Sequence, residues 1–426
     1  MLKTFNFTPT IKKPLYSIYY TTMTRKAILF FNVFFIFNVL YKFLDYLRST
    51  EFTYMLQSNY ISYSYGFIRR GLFGEVTKIV AKLNFDTFIF IKIFSIIILI
   101  FVFIYFYYLF KKNGYSLNFL FLPFTLSYTL LSGVIEFKDY FQILLIIFVV
   151  YLLKKESIIK YLWINIITII GILIHEIFFF ISIPFIFIFL VNQNYQPKKL
   201  IITTLKSFGI FLPSFVTLIL TIIYHGTPEI AQNLYKESLG LIPAYATNLE
   251  ISDGLRALGE NTENKVISMF KGKIWNGFSR GVTYVIFVIA LLYITLYFNN
   301  LKNKAKTNFT PNLFFIFCFQ LLAMLPIFVI AIDWSRFISL CLLSSLVYFM
   351  ELKHISIKPI FSHRIKQFAT ISDKIFSTFI HSNKQMFYVV CYFCIIPHLE
   401  FGNKPYAFTN SIIMLMNYIT KVISVM

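Results

Sequence analysis

Charge is what this chain has least of. Only 13% of its 426 residues are Asp, Glu, Lys or Arg, against roughly a quarter in soluble domains. That leaves too little polar surface to coat a water-soluble globule of this size, and it disfavours a soluble enzyme. Acidic residues are scarcest, 18 against 39 Lys and Arg. Cysteine is nearly absent. Cys318, Cys341, Cys391 and Cys394 all fall in apolar runs, which fits neither a disulfide framework nor a zinc site. The Cys391-x-x-Cys394 pair lacks a redox-type surrounding and reads as helix packing. No Asp-x-Asp occurs, so the metal and sugar-nucleotide site usual in soluble glycosyltransferases is missing, and there is no phosphate-binding loop. What is present is apolar bulk: 58% hydrophobic residues and 20% aromatics, with 54 Phe and 29 Tyr. Such a composition excludes a disordered or collagen-like chain and points to lipid as the solvent.

Residues 1–26 carry Lys3, Lys12, Lys13, Arg25 and Lys26 without the short apolar core of a cleavable signal. Apolar runs follow at about 27–46, 87–110, 119–135, 141–153, 161–174, 177–191, 201–223, 281–298, 312–331, 338–351, 385–397 and 410–425. They predict an all-α, polytopic membrane protein of about 12 segments, with 1–426 forming a single integral membrane domain. Several runs fall short of the ~20 residues of a full crossing. The run 161–191 is too long for one upright helix, and His175-Glu176 divides it. A tight helical hairpin is the simplest reading, and one long tilted helix is the alternative.

Basic residues orient the segments. With the N-terminus in the cytoplasm, the inner loops and termini collect 22 Lys and Arg, and the short outer loops hold only Lys138, Arg336 and Lys404. The opposite orientation would violate the positive-inside bias. Two long outer loops remain. The first, 47–86, contains an interfacial amphipathic helix within 67–82. The second, 224–280, has Pro, Gly and helix-compatible stretches at 229–239 and 261–271, and reads as a folded lid. The positive charge is dispersed by topology, so nucleic acid is not an expected partner. No repeat relates the two halves.

Ionisable residues beside membrane segments are functional candidates, and four groups gather at the outer ends of the spans. Arg69-Arg70 lies in the glycine-bracketed segment Gly66-Phe67-Ile68-Arg69-Arg70-Gly71. Its arginines either face lipid head groups or grip a pyrophosphate through the planar guanidinium fork. Glu136, Lys138 and Asp139 crowd a very short loop, which is either a solvated turn or a carboxylate site for a sugar hydroxyl. His175-Glu176 is costly to bury for structure alone. Phe179 stands where a zinc-protease motif needs its second histidine, so a metal role is not expected. His175 is the favoured base, since an ordinary histidine pKa near ~6.5 suits proton transfer at neutral pH, with Glu176 or Asp139 as alternatives. Asp333-Trp334-Ser335-Arg336 offers a stabilising Asp–Arg pair, an interfacial Trp and a second phosphate grip in Arg336.

The segments 66–72, Lys138-Asp139, His175-Glu176 and 333–336 together resemble those of bacterial O-antigen polymerases, and the length and Phe/Ile-rich composition are also similar. The resemblance implies a multi-pass enzyme of the bacterial inner membrane with its site facing the periplasm and no metal or cofactor. It would transfer a growing glycan from undecaprenyl pyrophosphate onto another lipid-linked repeat unit. Its partners would be undecaprenyl-pyrophosphate-linked oligosaccharides, membrane lipids and a chain-length regulator. His175, Glu176 and Asp139 would be catalytic, and Arg69, Arg70, Lys138, Glu136, Asp333 and Arg336 would hold pyrophosphate or glycan. The long Arg-rich outer-loop motif pairs of some members are missing. A polyprenyl-glycan flippase is the main competitor. It would keep its charges near the midplane and often has repeated halves. Another membrane glycosyltransferase with a lipid-linked donor, such as a ligase, differs in donor or acceptor.

Overall fold

The computed structural model describes residues 43–52, 54–115, 137–193, 199–247, 285–295, 313–330 and 334–352, with isolated positions between 29 and 41 and at 255 and 258. Among these residues the fold is all-helical, with one isolated bridge and no strand. Its helices are α1 (Leu72–Lys82), α2 (Thr87–Lys112), α3 (Phe137–Leu153), α4 (Lys160–Ile174), α5 (Ile177–Gln193), α6 (Leu200–Ile210), α7 (Leu212–Ile223), α8 (Pro228–Leu241), α9 (Val285–Thr295), α10 (Leu313–Ala323), α11 (Leu325–Ile330) and α12 (Trp334–Leu352). The predicted runs 119–135, 385–397 and 410–425, and the stretch 261–271, lie outside the described residues.

Helix α2 starts where Asp86 accepts the Ile89 N–H at 3.0 Å and ends on Lys111 and Lys112. Both ends thus complement the helix dipole. Its 26 residues make it the one helix among those described that is by itself long and apolar enough to cross a membrane. Ile89, Ile93, Ile97, Ile100 and Ile104 form an exposed stripe along it. The run 201–223 is not one helix. α6 and α7 meet at Phe211 with a 54° bend, because Pro213 cannot donate back to residue 209 and its ring crowds that carbonyl. Pro326 accompanies a similar break at Met324, between α10 and α11.

Helices α3 and α12 run side by side in the same direction. Asp139 meets Arg336 at 3.3 Å at one end, and Lys154 pairs with the buried Glu351 at the other. Tyr105 of α2 donates to the same Glu351 at 2.9 Å, which ties in the far end of α2. Both pairs are separated by the same number of residues along their helices, so the register is locked at both ends. The charges of α12 oppose its own dipole, and those of α3 compensate them.

His175 and Glu176 interrupt the apolar run 161–191 as a turn between α4 and α5. A Cβ on Gly171 would lie 2.5 Å from the Phe178 ring. In a continuous helix those residues are about 10 Å apart along the axis. The end of α4 lies beside the start of α3, where Gln142 donates to the His175 carbonyl. α5 then follows α12, with His175 near Phe337 and Phe185 stacked on Tyr348. The helical hairpin is therefore the observed arrangement.

The described parts of the two long loops expected outside pack as one cap. Phe52 N–H donates to the Thr247 carbonyl at 2.8 Å, and Thr247 N–H to Thr50 at 2.9 Å. Thr87 Oγ1 donates to the Leu241 carbonyl, and Tyr245 donates to Asp86, both at 2.7 Å. Ile61 and Ile68 share a buried cluster with Ala231, Leu234, Leu255 and Leu258. Helix α1 presses on this cap through Gly74, where a Cβ would overlap the Ile61 carbonyl oxygen at 1.8 Å. Backbone cannot give way as a side chain can. Gly74→Ala is therefore expected to destabilise the protein at the upper end of the ~1–3 kcal/mol typical of overpacking. A thermal melt of the purified variant checks it, and a wild-type melting temperature would refute the close approach.

Candidate functional site

The loop leading into α1 holds Arg70 in a costly shape. Gly66 (φ +101°) turns the chain, its N–H donating to Tyr63 O at 3.1 Å. Arg70 itself has φ +64°, a left-handed conformation that costs an ordinary residue about 1–2 kcal/mol. Neighbours enforce it. Ile68 is buried, the Tyr63 ring covers Gly71, and the Arg69 N–H donates to the Tyr224 carbonyl at 3.1 Å. The cap thus aims Arg70 at the α4–α5 turn. There Arg70 Nε donates to Glu176 Oε2 at 2.8 Å and Nη2 donates to Oε1, the two-pronged pairing that only an arginine can make.

His175 shapes that turn. Its backbone is extended, its N–H closes α4 on the Gly171 carbonyl at 2.9 Å, and its own carbonyl accepts the Phe178 N–H at 3.1 Å. Nδ1 accepts the Ile177 N–H at 3.3 Å, so the side chain caps the first turn of α5 much as an Asn or Asp would. Burial, then the positive charge of Arg70, push the His175 pKa well below its ordinary value. Glu176 works against them, and Arg336 and Lys138 add to them. The ring is neutral at pH 7. With Nδ1 accepting, its proton belongs on Nε2.

The Glu176 carboxyl feels opposite pressures. Burial raises its pKa. Arg70, through its charge and its hydrogen bonds, and Arg69 outweigh burial and hold it well below the usual carboxylate range. Glu176 is therefore an ionised carboxylate at neutral pH, spoken for by Arg70. Deeper in, Asp139 and Arg336 face each other, with Asp139 only 1% exposed. Lys138 is equally buried, and its Nζ donates to Ser58 O at 2.8 Å and Ser58 Oγ at 3.1 Å.

Arg69, Arg70, Lys138, Asp139, His175, Glu176 and Arg336 thus converge at one end of the bundle. Glu136 and Asp333 lie outside the described residues. Two of these residues are engaged by the fold. The His175 ring is 4% exposed, and its Nδ1 accepts from the α5 backbone. The Lys138 ammonium fastens α3 to the Ser58–Tyr60 turn. Asp139 pairs with Arg336. Arg70, Glu176 and Arg336 keep partial exposure, with side chains 24%, 14% and 11% accessible. Two participants went unforeseen, Ser58 and Gln142. Only Gln142 has a sequence signal, as a polar residue one helical turn from Asp139 on an apolar helix.

Among the described residues of this cluster four cations face two carboxylates, a balance that favours an anion. Among the described residues no group of three or more His, Cys, Asp and Glu is arranged to hold a metal ion. Comparison with known protein families, curated proteins and solved structures finds no match to this chain.

Proposed function

We propose that this protein is a polytopic glycosyltransferase of the bacterial inner membrane that polymerises a surface polysaccharide such as O-antigen. In this reading it moves a growing glycan from undecaprenyl pyrophosphate onto another lipid-linked repeat at the periplasmic face. The observation that carries the reading is the convergence of Arg69-Arg70, Asp139, Glu176 and Arg336, from four distant parts of the chain, at one end of the bundle.

The membrane setting is supported by an exterior as apolar as the core. Large apolar side chains such as Leu162, Trp163, Leu205, Val216 and Ile219 point outward, while Gln142, Ser182, Gln320, Ser344 and Ser345 are buried. Such a surface in water would be a contiguous aggregation-prone patch. α2 is long and apolar enough to cross on its own, and in this reading the bent α6–α7 pair crosses as one broken span and the remaining apolar runs of the sequence make up the count of about twelve.

The chemistry follows from the charges. When the anomeric C–O bond breaks, negative charge grows on the departing pyrophosphate. Fixed guanidinium groups in a partly dry site stabilise that charge without reorganising. A net positive cluster at the end of the bundle suits a lipid-linked diphosphate arriving sideways from the bilayer, and it favours a polymerase over a flippase, which needs a midplane site.

The test is reconstitution. Purified protein in proteoliposomes, given the undecaprenyl-pyrophosphate-linked repeat of its own cell, is expected to yield a ladder of lengthening glycans. Transfer of the repeat across the bilayer without any lengthening would replace this reading with the flippase.

A further inference from the structure

The pairing of Arg70 with Glu176 poses a problem for the reading just given, on which this inference rests. The guanidinium best placed to hold a diphosphate already has both of its prongs on a carboxylate. We infer that Glu176 is a built-in stand-in for a substrate phosphate, and that the diphosphate displaces it from Arg70 and so frees it to take the proton of the attacking hydroxyl.

Three features carry this. The first is shape. A carboxylate and two phosphate oxygens present the same spacing to the arginine fork, so the groups are interchangeable ligands of Arg70. The second is placement. Glu176 lies in the two-residue turn between α4 and α5, where a side chain can swing without disturbing a helix, whereas Arg70 is fixed by the Arg69–Tyr224 hydrogen bond and the Tyr63 ring over Gly71. The carboxylate moves and the cation stays. The third is charge. Arg69 also acts on Glu176, so an incoming diphosphate finds a second cation beside Arg70 and outcompetes a single carboxylate.

The exchange orders the reaction. With Arg70 empty of substrate, Glu176 is held as a weak base. Once the diphosphate takes the fork, the carboxylate loses its strongest partner and becomes more basic, at the moment a base is needed. The acceptor hydroxyl oxygen then bonds to the anomeric carbon of the donor, the anomeric C–O bond to phosphate breaks, and its electron pair leaves with undecaprenyl pyrophosphate. The hydroxyl proton passes to Glu176. A base activated only by the correct donor would also protect that donor from water.

The test measures binding of undecaprenyl pyrophosphate to the full chain in nanodiscs. Removing the internal competitor is expected to tighten binding, about tenfold in Glu176→Gln, the equivalent of one strong charged contact. Glu176→Asp, one methylene shorter and gentler on the fold, is expected to tighten it less, because it cannot reach both prongs. Both variants should make far less polymer. Wild type that binds the lipid, together with variants that bind it equally or more weakly, overturns the exchange and leaves the polymerase reading standing. Folded wild type that does not bind the lipid at all removes both.

Discussion

Arg70→Lys is expected to stop polymer growth almost as completely as Arg70→Ala, with both variants losing about 10²–10³-fold in rate. That is the size of effect seen when one preorganised donor to a developing oxyanion is removed. Lysine keeps the charge and most of the length. It lacks the planar fork that meets two oxygens at once, and here the fork is aimed by a backbone held at φ +64°. Both substitutions retain a Cβ, so the backbone cost of the left-handed position is unchanged and the comparison isolates the guanidinium. The readout is the glycan ladder at matched protein levels in membranes. A lysine variant with wild-type chain length would reduce Arg70 to a general positive charge.

The second large effect is expected at His175, and the pattern across substitutions matters more than the loss itself. His175→Ala removes the cap on the Ile177 N–H, worth about 1 kcal/mol of local stability. It also loosens the turn that presents Glu176, and activity is expected to fall at least tenfold. His175→Asn keeps a short side-chain acceptor of the kind that caps helices and is expected to retain most of the activity. An asparagine variant as inactive as the alanine one would return the proton-transfer role to the imidazole. Acid adds an independent check. The folded-state pKa of His175 is depressed, so its neutral form stabilises the protein above the unfolded pKa of ~6.5. That contribution is lost as pH falls from there toward the lower folded value. The melting temperature of wild type should therefore drop more than that of His175→Asn on acidification below about pH 6.5. Equal drops would mean that the ring is not held neutral.

Much of this was legible in the sequence because long apolar helices advertise themselves. The run 87–110 became Thr87–Lys112, and the split at His175-Glu176 marked the hairpin because a polar pair interrupts an apolar stretch too long for one helix. The stretch 229–239 likewise became Pro228–Leu241. The convergence of charges followed from alternating topology alone. What escaped was everything decided by backbone geometry. Pro213 and Pro326 were visible, yet hydropathy is blind to a missing N–H, so the breaks at Phe211 and Met324 were read through. The union of the two outer loops rests on carbonyls and amides of Thr50, Phe52 and Thr247, which any residues could supply. The same blindness hid the backbone contact of His175. Residue type says that a histidine can accept a proton, whereas only the fold says that the Ile177 amide already points at its nitrogen.

The twin ion pairs between α3 and α12 set a timetable for biosynthesis. Asp139 and Lys154 leave the ribosome long before Arg336 and Glu351, with most of the chain still to be made. In the proposed membrane setting, the Asp139–Arg336 and Lys154–Glu351 pairs cannot form until α12 is inserted, and early release of α3 into lipid is unfavourable. Nascent chains arrested before residue 334 should therefore remain at the insertion machinery or be degraded, and those extended past 352 should be let go. Closure of α12 against α3 is a contact between segments far apart in the chain, which no local folding rule can hurry.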